Sequence, residues 1–387
     1  MRPHISGKAL LMVAGCCCLW GLLGGPTLID PYKNDDFLCY YIGGTLAREG
    51  RFAELYQPAA QMQVHERVAP SRKGPRPYVR PPWFAVALAP LTALPFVYAY
   101  AVWIGIMVAI QLALWVWSFL RFGEFGLVLA ALYLPSNLGL FFGQDGGVIL
   151  AVLCVFYVLW NRQRLFLSGM VLGLGLIKPH LLLLFPLWML LQKRWRMLGG
   201  FAAVAAAFFA MSMLVLGASG VTGYADLLLH GNTELGPSPQ TMLNIYSVPA
   251  NFGIQSRTVN AFLAAGIIGL AAFGLRRASA NRAIGIAAAG SLLISPHVFG
   301  YDAALLLLPI WLVTASSASK AARYSALALC VPYTFLLTLA HRPFACIPAV
   351  ALFVFFIALI AERPEQKESQ ADLTVEASLK AHSPTLA

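Results

Sequence analysis

The residues best suited to chemistry are few and far apart in the chain. Two adjacent carboxylates, Asp35 and Asp36, stand in "KNDDFLCYYIGG" (Lys33 to Gly44), in a sequence with 16 acidic residues against 27 lysines and arginines. A carboxylate so placed can take a proton as a general base. Neighbouring side chains on a helix diverge by about 100°, so these two do not converge on one bond as a catalytic carboxylate pair does. At most one of the two is then expected to react, and either can be an acidic helix start or cap, a bland reading that suits Asp35 better than Asp36. Further on come Arg76 and Arg80 in "RKGPRPYVRPP", Gln144 and Asp145 in "GQDGG", Lys178 and His180 in "KPH", and His297 and Asp302 in "SPHVFGYD". The last five ionisable groups lie beside or inside apolar runs, where charge is costly and tends to serve function. Each also has a bland reading: an acidic helix start, a snorkelling lysine, a tight turn, a polar contact between helices, a solvated basic loop.

The elements that must position these groups are set by composition. With 59% hydrophobic and 11% charged residues, the chain is far from a soluble domain, in which about a quarter of residues are charged. Apolar stretches recur from end to end without the alternation of an outer-membrane barrel, which predicts an all-α, polytopic transmembrane helix bundle. The net charge of +11 does not point to nucleic acid, because the cations form short clusters between apolar runs. Cys16, Cys17, Cys18, Cys154 and Cys330 sit within apolar runs, and no disulfide framework or metal-ligand spacing is evident. The basic start and apolar core of residues 1 to 29 imitate a signal peptide but lack an obvious cleavage site, so a retained first helix is expected.

The acid-free clusters "NRQR", "QKRWR", "RRASANR" and "SKAAR" mark the cytoplasmic side. The polar clusters named above then fall together on the opposite, outer side, which favours a shared site over independent bland explanations. Only "LFLSGMVLGLGLIKPHLLLLFPLWMLL" separates the first two markers, too little for two full crossings of a ~30 Å core. A pair of short helices meeting at Lys178-Pro179-His180 is predicted there, since broken backbone at membrane depth is tolerated where it lines a cavity. Arg121 leaves a choice: either "PPWFAVALAPLTALP" does not fully cross, or Arg121 departs from the charge rule. The count is accordingly 11 to 13 apolar segments. In the first outer loop, residues 29 to 80, one helix is expected from Asn34 or Asp35 to Gly50 and another from Pro58 to before Pro70. These would lie at the interface with Phe37, Tyr40, Tyr41 and Leu46 toward lipid or protein. Residues 1 to 361 form one integral membrane unit, and 362 to 387 a polar, disordered cytoplasmic tail.

The order of "DFLCYYIGGTLAREG", "ELYQP", "YVRPPWFAVALAPLTALP", "GQDGGVILAVL", "GLGLIKPHLLLLFPLWMLLQKRWR" and "SPHVFGYDAALLLLP" resembles glycosyltransferase family 87 of the GT-C superfamily, over most of residues 29 to 310. That resemblance implies a GT-C-like fold, a polyprenyl-phosphate-linked hexose donor (mannose above all), a lipid or glycan acceptor, no cofactor, and reaction at the periplasmic face of a bacterial inner membrane. It also implies an aspartate base, matched by Asp36 just before the "F..YY" pattern. Asp145 stands where the family often has Asn, and Arg80-Pro81-Pro82 where it has Tyr-Pro-Pro, which weakens transfer of sugar specificity. The leaving phosphate needs its charge neutralised, for which Lys178, Arg80 and Arg76 are candidates; in-line displacement inverts the anomeric centre. Gln144, Asp145, His180, His297 and Asp302 would complete the donor pocket. The competing functions are a transporter or flippase of an anionic or lipid-linked solute, which would be favoured by inverted repeats that are not seen, and an assembly subunit whose polar residues only pack helices.

Overall fold

A computed structural model describes residues 5–30, 32, 35–71, 77–230, 238–316 and 318–362. The structure is all-helical, with no strand among the described residues. Five helices are long and apolar enough to cross a bilayer, beginning with α1 (Gly7–Ile29). At 1.5 Å per residue its 23 residues span roughly 35 Å. A bent pair, Lys320–Cys330 with Pro332–Leu339 at 65°, makes a sixth candidate, and four shorter apolar helices of 10–17 residues lie between. The chain is a multi-pass helical membrane protein.

The first loop folds back onto the bundle. Helices α2 (Asp35–Arg48) and α3 (Pro58–Val68) form where the sequence predicts them; Gly50, at φ +70°, takes the left-handed turn that ends the first. Of the two environments expected for its aromatic face, protein prevails: Phe37, Tyr40, Tyr41 and Leu46 are all buried. Phe37 packs among Phe96, Tyr100 and Trp103. Glutamine 61 pins the loop from α3, accepting from the Tyr78 amide at 2.7 Å and donating to the Leu55 carbonyl at 2.7 Å.

The choice left by Arg121 is decided by helix lengths. The apolar piece after Arg80 is only α4 (Pro82–Leu88), seven residues or roughly 10 Å, which cannot cross a ~30 Å core. The crossing is made by α5 (Phe96–Leu132), whose helical path breaks at Gly123, φ +68°. Arg121 sits just before that break, so it can mark the end of the spanning part. From there α6 (Leu134–Phe141) leads to the "GQDGG" turn, and α7 (Gly146–Asn161) leads away from it.

The predicted break at "KPH" is present. Helix α8 (Leu165–Leu174) ends in two short 3-10 turns around Lys178, and the chain resumes as α9 (Leu184–Leu191). Helix α10 (Trp195–His230) crosses α8 with almost no side chain between them. A Cβ on Gly169 would stand 1.9 Å from the Met197 carbonyl oxygen, and one on Gly200 would stand 2.0 Å from that of Phe166. Small residues here allow the backbone contact that drives helix association in lipid. Four helices complete the part that frames the site: α11 (Ser247–Asn251), α12 (Arg257–Leu275), α13 (Ala280–Ile294), and α14 (Leu307–Ala315), the last entered through a 3-10 stretch, Gly300–Leu306. None of the seven cysteines is in a disulfide. The tail from 363 onward lies outside the described residues.

Candidate active site

Four segments far apart in sequence deliver charged side chains to one buried point. Arg80 arrives on the extended residues before α4. Asp145 arrives on the turn between α6 and α7, Lys178 on the break between α8 and α9, and Asp302 on the 3-10 entry to α14. Lys178 Nζ lies 2.6 Å from Asp302 Oδ1 and 2.8 Å from Asp145 Oδ1, and donates to Gln144 Oε1 at 3.2 Å. Arg80 Nη2 donates to Tyr40 Oη at 2.6 Å, to Gln144 Oε1 at 3.0 Å and to Asp145 Oδ1 at 3.0 Å. The Tyr40 hydroxyl in turn donates to Gln144 Oε1 at 2.9 Å, and the Phe299 amide donates to Asp302 Oδ2 at 2.9 Å. Lys178 is 1% exposed, Arg80 7%, Asp145 0% and Asp302 3%.

Two cations and two carboxylates leave this centre with no net charge. That balance makes the burial tolerable, because an unpaired charge here would bear its full desolvation cost. Burial alone would lower the Arg80 pKa, but the adjacent Asp145 carboxylate and Tyr40 hydroxyl hold it well above the usual arginine range. The centre also discriminates between the two expected phosphate ligands. An ammonium has three donors, and Lys178 spends them on Gln144, Asp145 and Asp302. It therefore organises the centre as placed, with no donor left over for a phosphate. Arg80 makes its contacts within the described residues through Nη2, so Nε and Nη1 remain for a ligand.

Aromatic residues wall the centre, and two of them are not among the expected site residues, since the sequence reads Tyr40 only as part of the aromatic face of its helix. Tyr40 carries the hydroxyl that links Arg80 to Gln144, and its ring lies 5.3 Å from the Arg80 guanidinium carbon. Tyr301 places its ring 5.1 Å from Lys178 Nζ and packs with Phe299 and Phe142. After burial itself, the half-buried Asp36 is among the groups that act electrostatically on the Tyr301 hydroxyl, together with Asp302 and Tyr40. The only available signal for either tyrosine was adjacency, to Asp302 in "GYD" and within "CYYIGG".

The remaining predicted residues fall as follows. His180 is half-buried, two residues on from Lys178, and feels the charges of Asp302, Arg80 and Lys178. His297 reaches solvent from a recess beside Phe299, its ring centroid 4.9 Å away. Desolvation in that recess lowers its pKa and Asp302 opposes this, while Arg80 and Lys178 reinforce the lowering. The net direction favours the neutral imidazole. Arg76 lies outside the described residues, and only the backbone position of Asp35, at the first turn of α2, is described.

The family profile of glycosyltransferase family 87 matches residues 78–296, more than half of the chain. The chain belongs to glycosyltransferase family 87. It is a membrane glycosyltransferase. The matched span contains Arg80, Gln144, Asp145, Lys178 and His180; Asp36 precedes it, and His297 and Asp302 follow its end. Comparison with curated proteins and with solved structures gives no match. Family 87 membership therefore covers most of the charged centre, and the geometry adds Asp302, Tyr40 and Tyr301 to it.

Proposed function

We propose that this glycosyltransferase moves a hexose, mannose above all, from a polyprenyl-phosphate donor to a lipid or glycan acceptor on the periplasmic side of a bacterial inner membrane, with inversion. The observation that carries the reading is the convergence of Arg80, Gln144, Asp145, Lys178 and Asp302 on one neutral centre, with Asp36 at its edge. A lipid phosphate is already a good leaving group. The protein has to deprotonate the acceptor hydroxyl and accept the departing negative charge.

Asp36 is assigned the first task. In support, it is half-buried in the first turn of α2 and is among the charges that act on the Tyr301 hydroxyl. Arg80 is assigned the second, through the guanidinium donors that the centre does not use, with Arg76 as a further cation from the same loop. Lys178, held by two carboxylates, positions Asp145 and Asp302 and so fixes the floor against which the donor sugar sits. Gln144, His180 and His297 supply neutral hydrogen-bonding groups for sugar hydroxyls and phosphate oxygens. The catalytic unit is taken as residues 1 to 361.

Purified protein reconstituted in lipid, incubated with a panel of polyprenyl-phosphate hexoses and a membrane extract, tests this by release of polyprenyl phosphate. Turnover of one hexose, with the opposite anomeric configuration in the product, is expected. Failure of every donor would remove the reading.

A further inference from the structure

A partly open cavity of about 300 Å³, lined by none of the charged residues of the centre, lies where Pro296 meets Met242, Asn244 and the start of α12. This is at the small end for ligand sites, room for a headgroup but not for a glycan chain. Its floor is residues 242–246, stitched to the segment that carries His297. The Leu243 amide donates to the Val298 carbonyl at 3.1 Å, the Ile245 amide to Leu293 at 3.0 Å, and the Asn244 carboxamide to Ser295 at 2.9 Å. Met242, Pro239 and Pro296 make most of the lining apolar.

Two polar side chains of one helix line this space, Arg257 exposed and Asn260 half-buried. Arg257 and Asn260 are three residues apart in α12, hence on one face, and both line the cavity. Neither side chain has a hydrogen bond or ion pair within the described residues. Asn244, by contrast, is fully committed: its oxygen accepts from the Ser247 amide at 3.1 Å and its nitrogen donates to Ser295. An arginine without an acid and a free carboxamide, meeting in an apolar pocket, match a phosphate group bearing one negative charge. The surroundings select a lipid as its carrier. Phe252 and Ile254, just before Arg257, are 65% and 51% exposed, and Phe262, within the apolar α12, is 74% exposed.

We propose that this cavity seats the phosphate of a membrane lipid, held by Arg257 and Asn260, with the lipid's chains lying along α12. A lipid held there would abut the 295–299 segment and so the wall of the active centre. The proposal rests on this cavity and the membrane setting, not on the donor assigned above, and it is read by binding alone.

The test is native mass spectrometry of the full chain in detergent, titrated with dioleoylphosphatidylglycerol, with dioleoylglycerol as the phosphate-free control and inorganic phosphate as competitor. Retention of phosphatidylglycerol but not dioleoylglycerol is expected. Arg257→Gln should weaken it about five- to tenfold, the value of one arginine–phosphate contact near a membrane surface. Asn260→Leu should weaken it less, and Arg276→Gln, in a cluster elsewhere, should leave it unchanged. Equal binding by parent and Arg257→Gln would overturn the site, as would equal retention of dioleoylglycerol. Displacement by millimolar inorganic phosphate would overturn the lipid assignment in favour of a free-anion site.

Discussion

Replacing Lys178 by Met tests whether the buried charges act as one unit. In the parent, two cations face two carboxylates, and Lys178 is the partner of both: 2.6 Å from Asp302 and 2.8 Å from Asp145. The variant leaves one cation against two buried carboxylates. Asp145 keeps Arg80 at 3.0 Å, whereas Asp302 keeps only the Phe299 amide. Removing one partner of a buried pair costs about 3–5 kcal/mol, mostly as the penalty on the charge left behind. In a chain of this size such a loss lowers the unfolding midpoint by roughly 4 to 6 °C. Adding Asp302→Asn removes the orphaned charge and leaves the Arg80–Asp145 pair intact. The double variant Lys178→Met/Asp302→Asn should therefore recover at least about 2 kcal/mol of that loss. Thermal unfolding in detergent, followed by tryptophan fluorescence, reads both. A Lys178→Met protein as stable as the parent, or a double variant no better than the single, would refute a charge-balanced centre.

Three further outcomes are expected. Asp36→Asn should lower sugar transfer by about 10²- to 10⁴-fold with an unchanged unfolding midpoint, as loss of a general base does, while Asp35→Asn should stay within a few-fold of the parent; equal effects of the two would undo the division between them. Gly146→Ala would put a Cβ 2.9 Å from the Tyr301 carbonyl oxygen, and should destabilise the protein by about 1–3 kcal/mol and disturb transfer, because backbone must move to admit it. Transfer should persist in EDTA, since the buried carboxylates Asp145 and Asp302 are engaged by the Lys178 ammonium; abolition by chelator, restored by a divalent cation, would show that metal serves the reaction.

What the sequence shows and what it hides divide along the range of the interactions. Helices α2 and α3 and the break at Lys178 were legible because their signals are local: an acidic start, a glycine after the last turn, a proline at the first, too few residues for two crossings. The fate of the "PPWFAVALAP" piece was not legible, because the same apolar composition serves a short helix packed on protein and part of a span. Nor could the sequence show that Lys178 is saturated. Asp302 lies 124 residues further along the chain and Gln144 34 residues before, so no window contains the contacts that use up its donors. Counting cations on one side of a membrane therefore overstates the charge available to a ligand. Only Arg80, whose contacts all leave through one nitrogen, keeps the donors for which both were singled out. The same reasoning separates Arg257 from the other basic residues. Its position at the start of a spanning helix would by itself make it an interfacial anchor, and what distinguishes it is the cavity that it lines together with Asn260.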